Sequence, residues 1–221
     1  QMFLAKLVEL GTIDDQLACF LESVVRARMN IVVAGATDAG KTTLLRALIN
    51  CIQAMERLIT VERSLELGLR RHPELHQDVV ELEEVLPDAE GNGGITIQEL
   101  VRRTRRHNPS RVIVGEVLGP EVVEMLSAMS QGNNGSLSTI HARSAKDVFA
   151  KLAQYAGQYE HVDNAVAHSL IAGAVDFVVF IGKNRHLGGR RCVTTVLEVS
   201  GAPDGRVSSN TIFTRSPIDG R

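Results

Sequence analysis

The chain has no tryptophan, two tyrosines and only 4% aromatic residues. A protein that holds single-stranded nucleic acid by stacking bases on aromatic rings is therefore not expected. Its three cysteines, Cys19, Cys51 and Cys192, are odd in number, far apart and without a CxxC pair. That excludes a disulfide framework or a zinc site as the organising element and fits the cytoplasm. No apolar run is long enough to cross a bilayer; the longest, AVDFVVFIG, is strand-sized and interrupted by Asp176. A charge of one sign is also missing: the net charge is -2, which argues against a globally basic nucleic-acid binder, although arginines cluster locally. Internal repeats and low-complexity segments are absent as well. The chain begins at Gln1 with no signal-peptide pattern, and from a first residue other than methionine a longer parent protein is expected.

What is present is a folded-protein composition, 44% hydrophobic over 221 residues, sufficient for one substantial core. Strand and helix patterns alternate. TIDDQLACFLESVVRARM has helical spacing from a capping box at Thr12 and Asp15, and NIVVAG reads as a strand covered on both faces. Helical spacing resumes from Thr42 to Met55. LITVE (Leu58 to Glu62) and RVIVGEV (Arg111 to Val117) are two more buried strands, separated by a polar stretch with a turn at EGNGG and a helix capped by Thr96 and Glu99. Pro120 reads as the first residue of a helix that ends at Gly132; SLSTIH is a strand, Ser144 and Asp147 cap a helix ending near Gly157, and another helix covers Asn164 to Gly173. DFVVFI is a strand, and RCVTTVLEV, GAPDG and RVSSNTIF make a β-hairpin. The expected class is α/β with a mainly parallel central sheet flanked by helices, plus a C-terminal hairpin. Three parts are expected: a helical lead-in over 1–30, a core over 31–181 and the hairpin extension over 182–221.

Between the first strand and its helix lies GATDAGKTT, comprising Gly35, Ala36, Thr37, Asp38, Ala39, Gly40, Lys41, Thr42 and Thr43. It satisfies GxxxxGK[ST] in the strand–loop–helix setting that gives the pattern meaning. Successive backbone N–H groups and the helix N-terminus attract phosphates, Lys41 neutralises them, and the Thr42 hydroxyl ligates Mg²⁺. A chance match in a chain of average composition is on the order of one in a hundred. The loop does not name a reaction. No NKxD motif for guanine follows, and neither the aspartate after the second strand nor the arginine-rich lid of a small-molecule kinase is apparent.

Hydrolysis needs carboxylates at strand ends beside the loop. Glu62 and Glu116 occupy such ends; the alternative is a glutamate that merely meets solvent, which is weaker for Glu116 because its strand is wholly apolar. His141 ends GSLSTIH, where a strand end could aim an imidazole at the γ-phosphate or serve only structure. His72 and His76 in HPELH have i, i+4 spacing but lack a third ligand and read as solvated loop. The run RRTRRHNPSR reads as a solvated helix carrying one or two functional arginines.

In order, GATDAGKTT, LITVERSLEL, TRRHNPSRVIVGEVLGPE and QGNNGSLSTIHARS resemble the Walker A, Asp-box, Walker B and His-box regions of the type II/type IV secretion (traffic) ATPase superfamily, closest to the Tad/Flp pilus, CpaF-like branch. The resemblance runs from about Leu7 to Phe180. It implies a RecA-like P-loop fold and a C-terminal motor domain that hydrolyses Mg-ATP to ADP and phosphate. It also implies a cytoplasmic homohexameric ring at the inner face of the membrane, working on a platform protein of a pilus or secretion machine, with no sequence-specific nucleic acid. By position, Lys41 and Thr42 bind phosphate and Mg²⁺, Glu116 is the Walker B catalytic carboxylate, Glu62 the Asp-box acid, His141 the His-box residue, and Arg106 matches an arginine before the family's proline. Both acids join Thr42 as candidate Mg²⁺ ligands. Asp38 replaces a usual glycine, Arg63 a usual aspartate and Leu118 a usual arginine, so slow turnover is expected. Two rival readings are a nucleotide-binding scaffold with little hydrolysis and a RecA-like DNA translocase.

Overall fold

A computed structural model describes residues 2–184 and 188–215. Gln1, together with 185–187 and 216–221 of the expected C-terminal extension, lies outside the described residues. The centre is one eight-stranded sheet in the order β3-β2-β4-β5-β1-β6-β7-β8. The strands are β1 (Ile31–Gly35), β2 (Arg57–Glu62), β3 (Asp78–Glu83), β4 (Arg111–Val117), β5 (Leu137–His141), β6 (Phe177–Asn184), β7 (Arg190–Gly201) and β8 (Ser208–Thr214). Neighbours from β3 to β6 are parallel, whereas β6–β7 and β7–β8 are antiparallel.

Every residue of β1 is buried because the sheet is covered on both faces. Ile31 and Val33 face a core formed with α1 (Leu4–Glu9), α2 (Asp15–Arg26) and α3 (Lys41–Ile49). Val32 and Ala34 face the other, formed with α4 (Ile97–Thr104), α5 (Val122–Ser130), α6 (Asp147–Glu160) and α7 (Asn164–Ala174). The period-two pleat thus assigns alternate apolar residues to two separate cores. Cys192, Val193, Val196 and Leu197 of β7 are buried too. The hairpin is accordingly a continuation of the main sheet.

Several local expectations need correction. The α2 cap is Asp14, whose carboxylate accepts from the N–H of Leu17, in place of the expected Thr12 box; Thr12 is itself buried. Thr96 does cap α4, accepting from the N–H of Glu99, but Glu99 pairs with Arg102 and Arg103 instead of reaching back. Pro120 lies before the helix, since α5 begins at Val122 after Glu121, whose carboxylate accepts from the N–H groups of Leu118 and Gly119. The helix read from Thr42 to Met55 stops at Ile49, and α6 continues past Gly157 to Glu160. Strand β3 mixes three acids with three half-buried apolar residues at the sheet edge, so its sequence resembles a polar connection.

His76 does not lie in the solvated loop expected for HPELH. It is buried, 3% exposed, with Nε2 3.1 Å from the Asn50 side-chain oxygen. Burial holds its imidazole below the ordinary range, which suits a neutral ring donating from Nε2. One buried polar residue ties the strand starts together. The Asn30 amide donates to the carbonyls of Met129 and Ala174, and its oxygen accepts from the N–H groups of Gly135 and Ser136.

Candidate nucleotide site

The ends of β4, β5 and β1 lie side by side, and Gly35 is the register partner of His141. This places the first glycine of the phosphate loop next to the imidazole. A Cβ on Gly35 would come within 2.4 Å of the Ile181 carbonyl oxygen on β6, so only glycine lets the chain leave the sheet there. The loop closes with the Ala39 N–H on the Ala36 carbonyl. Gly40 enters α3 at φ 98° and has no side chain to cap it, which leaves the first-turn N–H groups for an anion.

Lys41 is buried at the base of a cleft of about 340 Å³ lined also by Thr37, Asp38, Thr42, Glu62 and Glu116. Its Nζ lies 3.3 Å from the Ala36 carbonyl, 3.1 Å from Nδ1 of His141 and 3.9 Å from Glu116. Burial pulls the Lys41 ammonium below its ordinary value, and the Glu116 charge partly restores it. An ammonium only donates, so Nδ1 of His141 is the acceptor. The ring proton then sits on Nε2, 2.9 Å from Glu116 Oε1. Lys41, His141 and Glu116 form one chain of polar contacts across the mouth of the loop.

Glu116 reaches this position through a break in regularity. The β4–β5 register shifts between Val114 and Val117, a bulge that re-aims the side chain. The hydroxyl of Ser138 donates to the Val114 carbonyl at 2.9 Å and that of Thr139 to the Gly115 carbonyl at 2.7 Å. The hydroxyl-rich SLSTIH stretch therefore fixes the strand that carries Glu116. A Cβ on Gly115 would meet Glu62 Cγ at 2.9 Å, so this glycine makes room for the second acid.

Glu62 is 3% exposed. Its Oε2 accepts from the N–H groups of Glu66 and Leu67, both at 2.9 Å, and Thr60 donates to Oε1 at 3.3 Å. Burial pushes the carboxyl up, and the backbone N–H groups offset this only in part. A carboxyl raised in the folded state favours folding most below its unfolded pKa, and that contribution disappears as pH rises through the folded value. Glu62→Gln is therefore expected to unfold at an equal or higher temperature than wild type near neutral pH, with the difference closing on acidification below the ordinary range. Melting curves across pH check this; a gap that widens on acidification would contradict it.

Arg106 is not brought to this cleft. It is exposed on the 3-10 turn Arg105–His107 before β4, at the edge where the parallel strands begin and opposite the loop. Arg111, from the same basic run, is 1% exposed and structural, bound to Glu56 and to the carbonyls of Val25 and Gly135. Arg63 lines the cleft and pairs with Glu84. The reading missed Ser138, Thr139 and Gly115, for which the hydroxyl-rich stretch and the lone glycine of VIVGEV were the available signals. It also missed Lys183 and Arg191, which contact Asp38 from 145 and 153 residues away.

A phosphate loop between a central parallel strand and its helix, with an acid on the next strand but one, is the arrangement of RecA-like P-loop NTPases. The chain belongs to the type II/IV secretion system protein family, whose sequence model matches residues 1–179. It is 37% identical over 210 residues to a putative conjugal transfer protein of Mycobacterium tuberculosis, a match covering 95% of this chain and 57% of that protein. To the type IV secretion system protein VirB11 of Brucella suis it is 33% identical over 180 residues, 80% of this chain and 49% of the relative. The chain thus spans about half the length of these relatives. The crystal structure of the VirB11 ATPase from the Brucella suis type IV secretion system superposes with a TM-score of 0.72 at 30% identity, covering 92% of this chain and 56% of that one. The pilus retraction motor PilT with bound ADP shares the fold, with a TM-score of 0.64 at 18% identity, covering 98% and 54%. Among the described residues no helix is long and apolar enough to cross a membrane.

Proposed function

We propose that this chain is the nucleotide-hydrolysing motor portion of a type II/IV secretion or pilus machine, turning Mg-ATP into ADP and phosphate. The observation that carries the reading is the contact chain from Lys41 through His141 to Glu116 at the mouth of a phosphate loop. ATP would draw Lys41 from the imidazole onto its β- and γ-phosphates, leaving His141 and Glu116 facing the γ-phosphate and an attacking water. Glu116 orients that water and takes up its proton.

The donors fit Mg²⁺ bound with nucleotide. Magnesium keeps most of its waters and uses one or two protein oxygens beside the phosphates. Thr42 and Glu116 supply such oxygens, and Glu62 has Oε1 to add, its Oε2 being engaged by two N–H groups. A protein cage is not needed, and among the described residues no group of three or more His, Cys, Asp or Glu side chains could form one. The ion would neutralise charge building on the phosphate oxygens.

Arg106 cannot serve the cleft of its own chain from the opposite sheet edge. In a homohexameric ring its exposed guanidinium would approach a neighbour's nucleotide, so hydrolysis at one interface would move the next subunit and transmit force to a membrane-embedded platform protein. Such a ring works from the cytoplasm against the inner face of the membrane. Within the family, the four motifs favour the Tad/Flp, CpaF-like branch, whereas the similar proteins above carry conjugal-transfer and type IV secretion names. Transport by type IV machinery is the second reading on that account. The test is phosphate release from ATP and Mg²⁺ by wild type and Lys41→Ala. Lys41→Ala is expected to reduce turnover at sub-saturating ATP at least ~100-fold; equal rates would refute a nucleotide site at this loop.

A further inference from the structure

Asp38 stands in the phosphate loop at φ 56°, a left-handed backbone that favours glycine and that aspartate tolerates better than most residues. Its side chain is 69% exposed and turns to the antiparallel part of the sheet. Arg191 Nη2 donates to Oδ1 at 2.6 Å, and Arg191 Nε donates to the Asp38 backbone carbonyl at 3.0 Å. One guanidinium therefore holds both the side chain and the main chain of a single loop residue. Lys183 Nζ lies 3.4 Å from Oδ2. These two cations hold the Asp38 carboxyl below its ordinary value, the Arg191 hydrogen bond contributing most.

The strand register explains the grouping. Lys183 on β6 and Arg191 on β7 are direct cross-strand partners, and like charges placed opposite one another repel. The Asp38 carboxylate lies within reach of both and relieves that repulsion, while its own charge is spent on them and not on an incoming phosphate. The Arg191 stem also lies along the loop: its Cδ would be 3.5 Å from a Cβ at Gly40. Strands β6 and β7 thus form a wall for the loop, with the Ile181 carbonyl against Gly35 at one end and Arg191 against Asp38 and Gly40 at the other.

We propose that Arg191 is a positioning residue for the phosphate loop, acting through Asp38 to hold the loop in the conformation that receives nucleotide; this rests on the reading of the loop as a nucleotide site. Ala36, Thr37 and Asp38 are all exposed, so little packing restrains them. A loop that must present several N–H groups at once loses affinity when its bound shape has to be selected at each encounter. A guanidinium fork can fix side chain and carbonyl together, whereas a lysine ammonium supplies charge without that geometry. The side chains are about half exposed or more, so the pair adds little to global stability and its effect falls on the loop.

Titration of a fluorescent ATP analogue into the full chain tests this, using Arg191→Ala, Arg191→Lys, Lys41→Ala and Asp38→Ala alone and with Arg191→Ala. Arg191→Ala is expected to weaken binding ~5-fold while the unfolding midpoint without nucleotide stays within ~2 °C of wild type. Arg191→Lys should not restore affinity, and in the Asp38→Ala background Arg191→Ala should cost less than ~2-fold. Binding by Arg191→Ala within twofold of wild type, full rescue by lysine, or an equal loss in both backgrounds each overturns the proposal. The last two would identify Arg191 as a charge acting directly on the nucleotide. If Lys41→Ala binds as wild type does, the site reading itself falls; if only Lys41→Ala loses affinity, the site stands and the positioning role is refuted.

Discussion

Glu116→Gln is expected to lower ATP turnover by ~100-fold or more while leaving nucleotide affinity unchanged or somewhat tighter. Glutamine has nearly the shape of glutamate, and its side-chain oxygen can still accept from Nε2 of His141, now 2.9 Å from Glu116. The bulge held by Ser138 and Thr139 is untouched, so the geometry of the cleft should persist. On the proposed mechanism, what disappears is the basic oxygen that would take up the water's proton. Removing a negative charge 3.9 Å from Lys41 also leaves that ammonium freer for phosphate, hence the tighter binding. Single-turnover hydrolysis and equilibrium binding on the same preparation separate the two effects. A turnover within threefold of wild type would make Glu116 a bystander, and a parallel loss of affinity would make it a binding group.

Glu56→Ala is expected to cost about 3 kcal/mol of stability and to lower the unfolding midpoint by roughly 6–12 °C. The reason is Arg111, whose guanidinium is 1% exposed at the start of β4. Nε and Nη2 of Arg111 each donate to a Glu56 oxygen at 2.8 Å, and Nη1 donates to the carbonyls of Val25 and Gly135. Removing the carboxylate strands a cation among buried groups. Glu56 retains 13% side-chain exposure, which places the cost at the low end of the range for buried pairs. The partly exposed Arg28 bonds the same carboxylate and contributes less. Glu56→Ala with Arg111→Met removes both partners and should recover part of the loss; a single substitution that shifts the midpoint by under 2 °C would contradict the account.

Glu56 and Glu62 respond to acid in opposite senses. Burial raises the Glu56 carboxyl, but Arg111 and Arg28 outweigh it, and the group sits below its ordinary value. Its stabilisation is present above the unfolded pKa and is lost as pH falls through the depressed folded one. For Glu62, where burial dominates, acid relieves a cost. The structural pair is therefore weakened by acid and the cleft acid is not. Glu56 faces strong local cations, whereas Glu62 is left with N–H donors and little solvent, the kind of perturbation that marks a candidate functional cleft.

Much of this was legible along the chain, for a physical reason: motifs whose chemistry is local declare themselves locally. The phosphate loop needs consecutive N–H groups, two glycines at fixed spacing and a lysine on the first helical turn, and all of them lie within Gly35 to Thr43. A strand buried on both faces must be continuously apolar, so β1 and β4 could be read directly, and a glutamate after such a run stands out. Strand β3 could not, because an edge strand half in solvent needs no such pattern. The α2 cap was misplaced by two residues because Thr12 and Asp14 both satisfy cap chemistry, and only the backbone path decides which carboxylate or hydroxyl meets the free N–H groups.

The basic run from Arg102 to Arg111 marks the limit more clearly. Its arginines are alike in sequence, yet Arg111 is sealed in the core and Arg106 is exposed at the edge away from the cleft. Ion pairing across a sheet depends on which strands become neighbours, and Glu56 lies 55 residues from Arg111.

By itself the sequence determined the α/β class, the phosphate loop, its lysine and threonine, and the acids and histidine at three strand ends, since each is encoded by neighbours within a few residues. Only the tertiary structure decided that His141 bridges Lys41 and Glu116, that a bulge aims Glu116, and that Asp38 is held from β6 and β7. Those are contacts between segments brought together by strand order, and strand order is settled by burial on two faces of one sheet, a property that no short stretch of the chain carries alone.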